Sequence, residues 1–249
     1  MEKLIFIGVL VLMGFLTSEQ RVTSTEWQRA HATSYDGPKG GACGYGDQLI
    51  NDYGNNTAAL SMALFNDGKS CGGCYQIVCD ATQDPQWCLK RTSVTVTATN
   101  FCPPEPSKPN DNGGWCNPPR PHFDLSRTAF ESIAIYEAGI VPILYQKVGC
   151  QRNGGIKFTM NGNDYFELVV ISNVGGAGDI SNVWIKGSKM ENWESMSKNW
   201  GANWQSSRYL NGQSLSFRIQ LSDGKSVTAK DAVPSNWRFG QTFSSNVQF

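Results

Sequence analysis

Hydrophobic and polar positions alternate in three different ways along this chain. From Leu4 to Leu16 the sequence is almost wholly apolar, with Lys3 before it and small or polar residues after it. That layout predicts a secretory leader over residues 1–24, cleaved between Ser18 and Thr25. The run is short for a bilayer span, which needs ~20 apolar residues. No later stretch is longer, so no integral membrane segment is expected after cleavage.

Beyond the leader, Thr92–Asn100 alternates β-branched and small residues as a half-buried strand does, with Val94, Val96, Ala98 and Asn100 expected on one face. Asn56–Asn66 reads as a short helix capped by Asn55 or Asn56 and stopped near Gly68. A second helix is expected from Arg127 to Glu137, with Phe130, Ile133 and Ala134 facing the core and Gly139 ending it. Past Gly155 the period becomes that of strands throughout. Ile156–Met160, Tyr165–Asn173, Ile180–Gly187, Ser214–Leu221 and Ser226–Lys230 all fit, and Asn161-Gly162 and Asp223-Gly224 are turn signals. Repeated strands without helices predict a small β-sandwich.

The cysteines sharpen this division. Cys43, Cys71, Cys74, Cys79, Cys88, Cys102, Cys116 and Cys150 make an even set of eight, and none follows Cys150. Behind a leader, such a set predicts four disulfides, whose pairing spacing alone does not choose. It also sets a domain boundary: residues 25–153 form one unit and 160–246 another. Cys71-Gly-Gly-Cys74 could be half a zinc site, but no second close pair exists and the chain has two histidines, so neither metal nor cofactor is expected. Lys plus Arg and Asp plus Glu balance at 21 each, which leaves a nucleic-acid role without an electrostatic basis.

Two groups of residues carry candidate chemistry. Asp124 in His122-Phe123-Asp124 precedes the expected second helix. It would either cap that helix, with a depressed pKa, or act as an acid on a polysaccharide. Five of the eight tryptophans follow Gly155. Trp184 lies beside Val183 and Ile185 and is expected in the core. Trp193, Trp200 and Trp204 sit among polar residues, where they read equally as partly buried plugs or as a flat strip on which sugar rings stack. Asn55-Asn56-Thr57 is an N-glycosylation acceptor pattern at Asn55, or a plain cap.

The strings HATSYDG, GGACGYG, TAALSMALFNDGKSCGGCYQI, VTATNFCPP, NGGWCNPP, HFDL, VGGAGDISNVWIKGS, NWGANWQ, YLNGQSLSF and WRFGQTF occur in one order across nearly the whole chain after the leader. Together they resemble the α-expansins of plants. The resemblance implies a mainly β protein of two domains. A six-stranded double-psi β-barrel, similar to that of family-45 endoglucanases, precedes an immunoglobulin-like β-sandwich that binds cellulose. It further implies a secreted, monomeric cell-wall protein that loosens contacts between cellulose and xyloglucan at acidic pH without hydrolysis.

By position, the resemblance assigns Asp124 to the place of the endoglucanase general acid. It puts Thr33, Tyr35, Asn100 and His122 in the polysaccharide groove and Tyr165, Trp193 and Trp200 on the cellulose-binding surface. It pairs Cys43 with Cys71, Cys74 with Cys150, Cys79 with Cys88, and Cys102 with Cys116. The endoglucanase general base would fall two residues after Tyr35, where this chain has Gly37. Asp36 stands one residue early, and an offset of one turns a strand side chain to the opposite face. It is read as a turn residue; as an unexpected base it would make the chain a weak endo-β-glucanase. A purely carbohydrate-binding wall protein is the other alternative. The chain departs from the usual pattern by a shortened HATSYDGPKGGACGYG and a trimmed loop after FCPP, both beside the groove.

Overall fold

The computed structural model describes residues 26–36, 41–46 and 52–249. The leader and Gly37 lie outside them. Nearly all regular structure is β. The strands β1 (Gln28–Tyr35), β2 (Thr57–Leu60), β3 (Cys74–Cys79), β4 (Val94–Phe101), β5 (His122–Ser126) and β6 (Ile140–Val148) close a barrel in the order β1-β5-β2-β4-β3-β6. Its pairs include parallel β1·β5 and β2·β4, and the other four are antiparallel. This is the six-stranded double-psi barrel.

Alternation along the strands divides inside from outside. Ala30 and Ala32 of β1, Ala58 and Leu60 of β2, Val94, Val96 and Ala98 of β4, and Phe123 and Leu125 of β5 all join one buried cluster. Asn100 leaves that series. The β2·β4 register runs Ala58↔Ala98 and then Ala59↔Asn100, so a bulge at Thr99 turns Asn100 away from the barrel interior.

The first expected helix is mostly a strand. Thr57–Leu60 is β2, buried at every position between β4 and β5, and only Met62–Phe65 is α-helical (α1), followed by a 3₁₀ turn over Asn66–Gly68. A short run of Ala and Leu has good helix propensity, but tertiary pairing on both edges outweighs it. The second helix is shorter than expected. It spans Arg127–Glu131 (α2), and a separate 3₁₀ turn covers Tyr136–Ala138. Between them Leu89 N–H donates to Ile133 and Ile135 N–H to Trp87, which pulls the chain out of the helix. Phe130, Ile133 and Ala134 still face the core.

The second domain packs a four-stranded sheet, β10-β9-β13-β14, on a five-stranded one, β11-β12-β8-β7-β15. The strands are β7 (Lys157–Asn163), β8 (Phe166–Ser172), β9 (Ile180–Gly187), β10 (Glu194–Ser195), β11 (Ser197–Lys198), β12 (Asn203–Ser206), β13 (Leu215–Leu221), β14 (Ser226–Val233) and β15 (Thr242–Ser244). Phe158 and Phe217 stack across the two sheets with centroids 4.4 Å apart. The first hairpin turns at Asp164-Tyr165 instead of Asn161-Gly162, because β7 continues through both of those residues. Gly162 is nonetheless required there: its φ is 94°, and a Cβ would lie 2.0 Å from the Phe166 carbonyl oxygen.

Disulfides join Cys43 to Cys71, Cys74 to Cys150, Cys79 to Cys88 and Cys102 to Cys116. The Cys74–Cys150 bond fastens the connecting segment to the barrel. The domains also meet through a small cluster of Tyr45, Tyr53, Cys43, Cys71, Val170 and Ala202. Around it, Ala202 N–H donates to Cys43 O at 2.8 Å, Lys157 pairs with Asp52 at 2.7 Å, and Lys147 pairs with Asp179 at 2.6 Å.

Candidate polysaccharide groove and aromatic surface

The outer face of the barrel carries a polar row that follows directly from the β1·β5 register. His31 lies opposite His122, Thr33 opposite Asp124, and Tyr35 opposite Ser126. Because the residues between them fill the interior, these side chains must share the other face. Thr33 Oγ1 donates to Asp124 Oδ1 at 2.8 Å and lies 2.9 Å from His122 Nε2. With its only proton given to Asp124, Thr33 can serve His122 only as an acceptor. His122 is therefore the Nε2–H tautomer, and its buried Nδ1 has no partner. Burial, with Arg120 and His31 beside it, pulls the His122 pKa down to about 3, so the ring is neutral in any mildly acidic medium.

Asp124 does not cap a helix. It belongs to β5, and the short α2 begins at Arg127 behind Ser126. Its pKa is accordingly raised, not depressed: burial favours the neutral acid, and the Thr33 hydrogen bond opposes this only in part. Tyr35 extends the row, its hydroxyl 3.2 Å from Thr57 Oγ1. Burial raises the pKa of that phenol too. Thr57 and Ser126 are buried polar residues that sequence reasoning passed over; the β2 misreading concealed the first.

Asn100 has a different task. Its Oδ1 accepts from Ala42 N–H and Phe101 N–H, both at 2.8 Å. It thereby pins the Gly41–Gly44 segment, which reaches the second domain. Gly44, at φ 81°, lies against Trp200: a Cβ there would sit 2.9 Å from the indole. Asp36 is exposed beyond the end of β1, near Arg127, whose guanidinium is held chiefly by Glu131.

The aromatic residues separate into two sets. Tyr165 is 72 % exposed and Trp200 50 % exposed. They stand near opposite ends of the β8·β12 pair, whose register runs from Asn203↔Val170 to Ser206↔Glu167. Tyr209, which the sequence did not single out, packs on Tyr165 with centroids 5.8 Å apart, and Phe166 is also exposed. Trp204 is a core residue of the sandwich. Trp193 is not brought to this strip; it lies against Arg218 of the four-stranded sheet, 4.8 Å from ring centroid to guanidinium. Trp184 is not a core residue either. Its neighbours Val183 and Ile185 are fully buried, and alternation leaves Trp184 half-exposed on the outer face.

Among the described residues, no group of three or more His, Cys, Asp and Glu side chains is arranged to hold a metal ion, and no helix is long and apolar enough to cross a membrane. Asn55 is exposed two residues before the start of β2.

Comparison with known proteins agrees with this architecture. Residues 156–234 match the family model described as "Expansin C-terminal domain", and residues 57–145 match one described as "Lytic transglycolase". Expansin-A13 of Oryza sativa subsp. japonica is 55 % identical over 228 residues, covering 90 % of this chain and 87 % of its own. Expansin-A12 of Arabidopsis thaliana is 53 % identical over 243 residues, covering 95 % and 94 %. Crystal structures of Clavibacter michiganensis expansin have the same fold at 17 % identity. The apo form has a TM-score of 0.66, and a mutant in complex with cellohexaose has 0.67; each covers 90 % of this chain and 98 % of its own.

Proposed function

This chain belongs to the expansin A family, and on that premise we propose that it loosens the plant cell wall by binding polysaccharide without cutting it. The observation that carries this reading is the row Thr33–Asp124–His122. It offers one raised-pKa carboxyl and a hydroxyl on a half-buried strand face, with a neutral, fully buried imidazole bracing the hydroxyl from behind. Such a row can exchange hydrogen bonds with sugar hydroxyls. Glycosidic hydrolysis would need a second carboxylate, ~5–5.5 or ~6.5–9.5 Å from the first, to attack or to activate water. Asp124 has Thr33 as its hydrogen-bond partner, and Asp36 stands off the strand beside Arg127.

In this account Thr33, Tyr35 and Asp124 grip one glucan, and buried His122 holds Thr33 in place beneath them. Asn100 positions the Gly41–Gly44 segment that joins the groove to Trp200. Trp200 and Tyr165, helped by Tyr209, stack on cellulose; the complex of the bacterial relative with cellohexaose supports a cellulosic ligand. Xyloglucan is the second polymer, since loosening needs two polymers to be parted. Protonation of Asp124 ties the action to acid. Residues 1–24 are removed on secretion to the wall, Asn55 carries a glycan, residues 25–153 and 160–246 act as a monomeric pair of domains, and no metal or cofactor takes part.

The test is extension of a heat-inactivated plant wall under constant load at acidic pH, with released sugar assayed in parallel. Extension without sugar release is expected. Sugar release from soluble glucan that Asp36→Asn abolishes would make the chain an endoglucanase instead.

A further inference from the structure

Two tryptophans outside the Tyr165–Trp200 strip, Trp184 and Trp193, both adjoin Arg218 on the opposite side of the sandwich. Trp184 is outward on β9, and Arg218 of β13 is its direct cross-strand partner. On the other side of β9, Ser195 of β10 also pairs with Trp184, and Trp193, just ahead of that strand, lays its indole against the Arg218 guanidinium. A single row therefore crosses the sheet: Ser195, Trp184, Arg218 and Thr228. At about 4.8 Å between strands, it extends roughly 15 Å. On one side of the row, Asn182 Nδ2 donates to Gln220 Oε1 at 2.9 Å, which presents a flat amide surface. On the other side lie Lys186 and Ser216.

Among the described residues, cations outnumber unpaired acids on this face, and the cation at its centre, Arg218, is free of them. Arg218 makes no ion pair among the described residues, nor does Lys186 or the exposed Lys230. Of the nearby acids, Glu194 is held by Arg208, while exposed Asp231, which accepts from Ser214 at 2.7 Å, and exposed Glu191 keep their charge at the margins. A guanidinium braced on an indole is fixed in plane, so its free edge keeps two parallel N–H donors for a carboxylate.

We propose that this face, built on Trp184, Trp193 and Arg218, is a second polysaccharide-binding surface, and that its ligand is an acidic polymer of uronic acids. Trp184 offers a ring face to the sugar, and Arg218, with Lys186 and Lys230 at the margins, answers the carboxylates. A neutral glucan would leave the Arg218 guanidinium without a counter-charge and would find one face of Trp193 already covered. The two binding faces lie on opposite sides of a core that contains Trp204, Val169 and Ile185, with the sheets about 10 Å apart. One domain could then hold a neutral glucan on one face and an acidic polymer on the other. The proposal does not depend on how the barrel groove acts.

The experiment is affinity electrophoresis of the full secreted protein in native gels containing polygalacturonate or, separately, neutral hydroxyethyl cellulose. Polygalacturonate should retard the wild type, and raised salt should weaken this. Arg218→Gln and Trp184→Ser should each lower that affinity about tenfold, equivalent to ~1.4 kcal/mol, while retardation by the neutral glucan stays unchanged and reports an intact fold. Arg218→Gln removes no core atom, so it carries the test if Trp184→Ser misfolds. Absence of wild-type retardation by polygalacturonate, equal retardation of Arg218→Gln, or loss on the neutral glucan alone would each overturn the proposal.

Discussion

Thr33 and Asp124 are register partners across the parallel strands β1 and β5, and the Thr33 hydroxyl donates to the Asp124 carboxylate at 2.8 Å. That bond opposes the burial that raises the Asp124 pKa. The acid therefore keeps its proton to a higher pH than an exposed aspartate would, and Thr33 sets how much higher.

Thr33→Val should move the pH dependence of wall extension. With the hydroxyl gone, the ionised form loses its support and the Asp124 pKa rises further. If the protonated acid is the competent form, activity falls as pH climbs through that pKa, so the falling limb should shift to higher pH in the variant. Creep rates across a pH series check this; a shift to lower pH would refute the assigned role.

Glu167 predicts a stability effect away from the groove. It sits on β8 on the same face as Val169 and Ile171, fully buried, with no side-chain partner for its carboxylate and only the Leu210 backbone to oppose the burial. Burial raises its pKa to about 8. A raised acid pKa means the folded state binds the proton more tightly. Its contribution is thus fully present below about pH 4.5 and is lost as pH rises through about 8. Glu167→Gln cannot ionise, so it should abolish that decline and stabilise the protein near neutral pH relative to wild type, by up to about 1.4 kcal/mol for each pH unit above 4.5. Thermal unfolding at several pH values measures both.

The disulfides should differ in weight. Cys74–Cys150 closes a separation of 76 residues, and Cys79–Cys88 one of 9. On chain-entropy grounds, removing the first costs about 4–5 kcal/mol and the second about 2–3 kcal/mol. Denaturant unfolding of paired Cys→Ser variants should follow that order. The first should also loosen the docking of the domains, because it anchors the connecting segment.

Much of the fold was legible in the sequence because strand alternation was strong where one face is buried. Leu215, Phe217, Ile219 and Leu221 face the core and their neighbours do not. The failures have separate causes. Thr57–Leu60 is buried on both faces, so it has no alternation to read, and its Ala and Leu suggested a helix. Reading that helix hid Thr57 from the groove. Asp124 looked like a cap because Ser126 and a helix follow it, but pairing with β1 and β2 holds it in a strand. Trp184 was assigned to the core by its apolar neighbours, although strict alternation with Val183 and Ile185 already pointed it outward. The bulge that turns Asn100 depends on cross-strand register, which no local pattern records.

Tyr165→Ala and Trp200→Ala should each weaken cellulose binding by about 1 kcal/mol or more, on the scale of a lost aromatic stacking contact. Depletion assays on crystalline cellulose measure this. Trp193→Ala should leave cellulose binding unchanged, since its indole lies with Arg218 on the other sheet.

The most direct measurement is creep of a heat-inactivated wall at acidic pH with wild-type protein and Asp124→Asn, while reducing sugar is followed in the same vessel. The amide keeps the shape of the carboxyl and can still accept from Thr33, but it cannot exchange a proton as the acid does. Wild type should extend the wall without releasing sugar, and Asp124→Asn should lose at least about nine-tenths of the rate, ~1.4 kcal/mol, with sugar still at background. Extension by Asp124→Asn at the wild-type rate, or wild-type sugar release that the variant abolishes, would contradict a non-hydrolytic groove centred on Asp124.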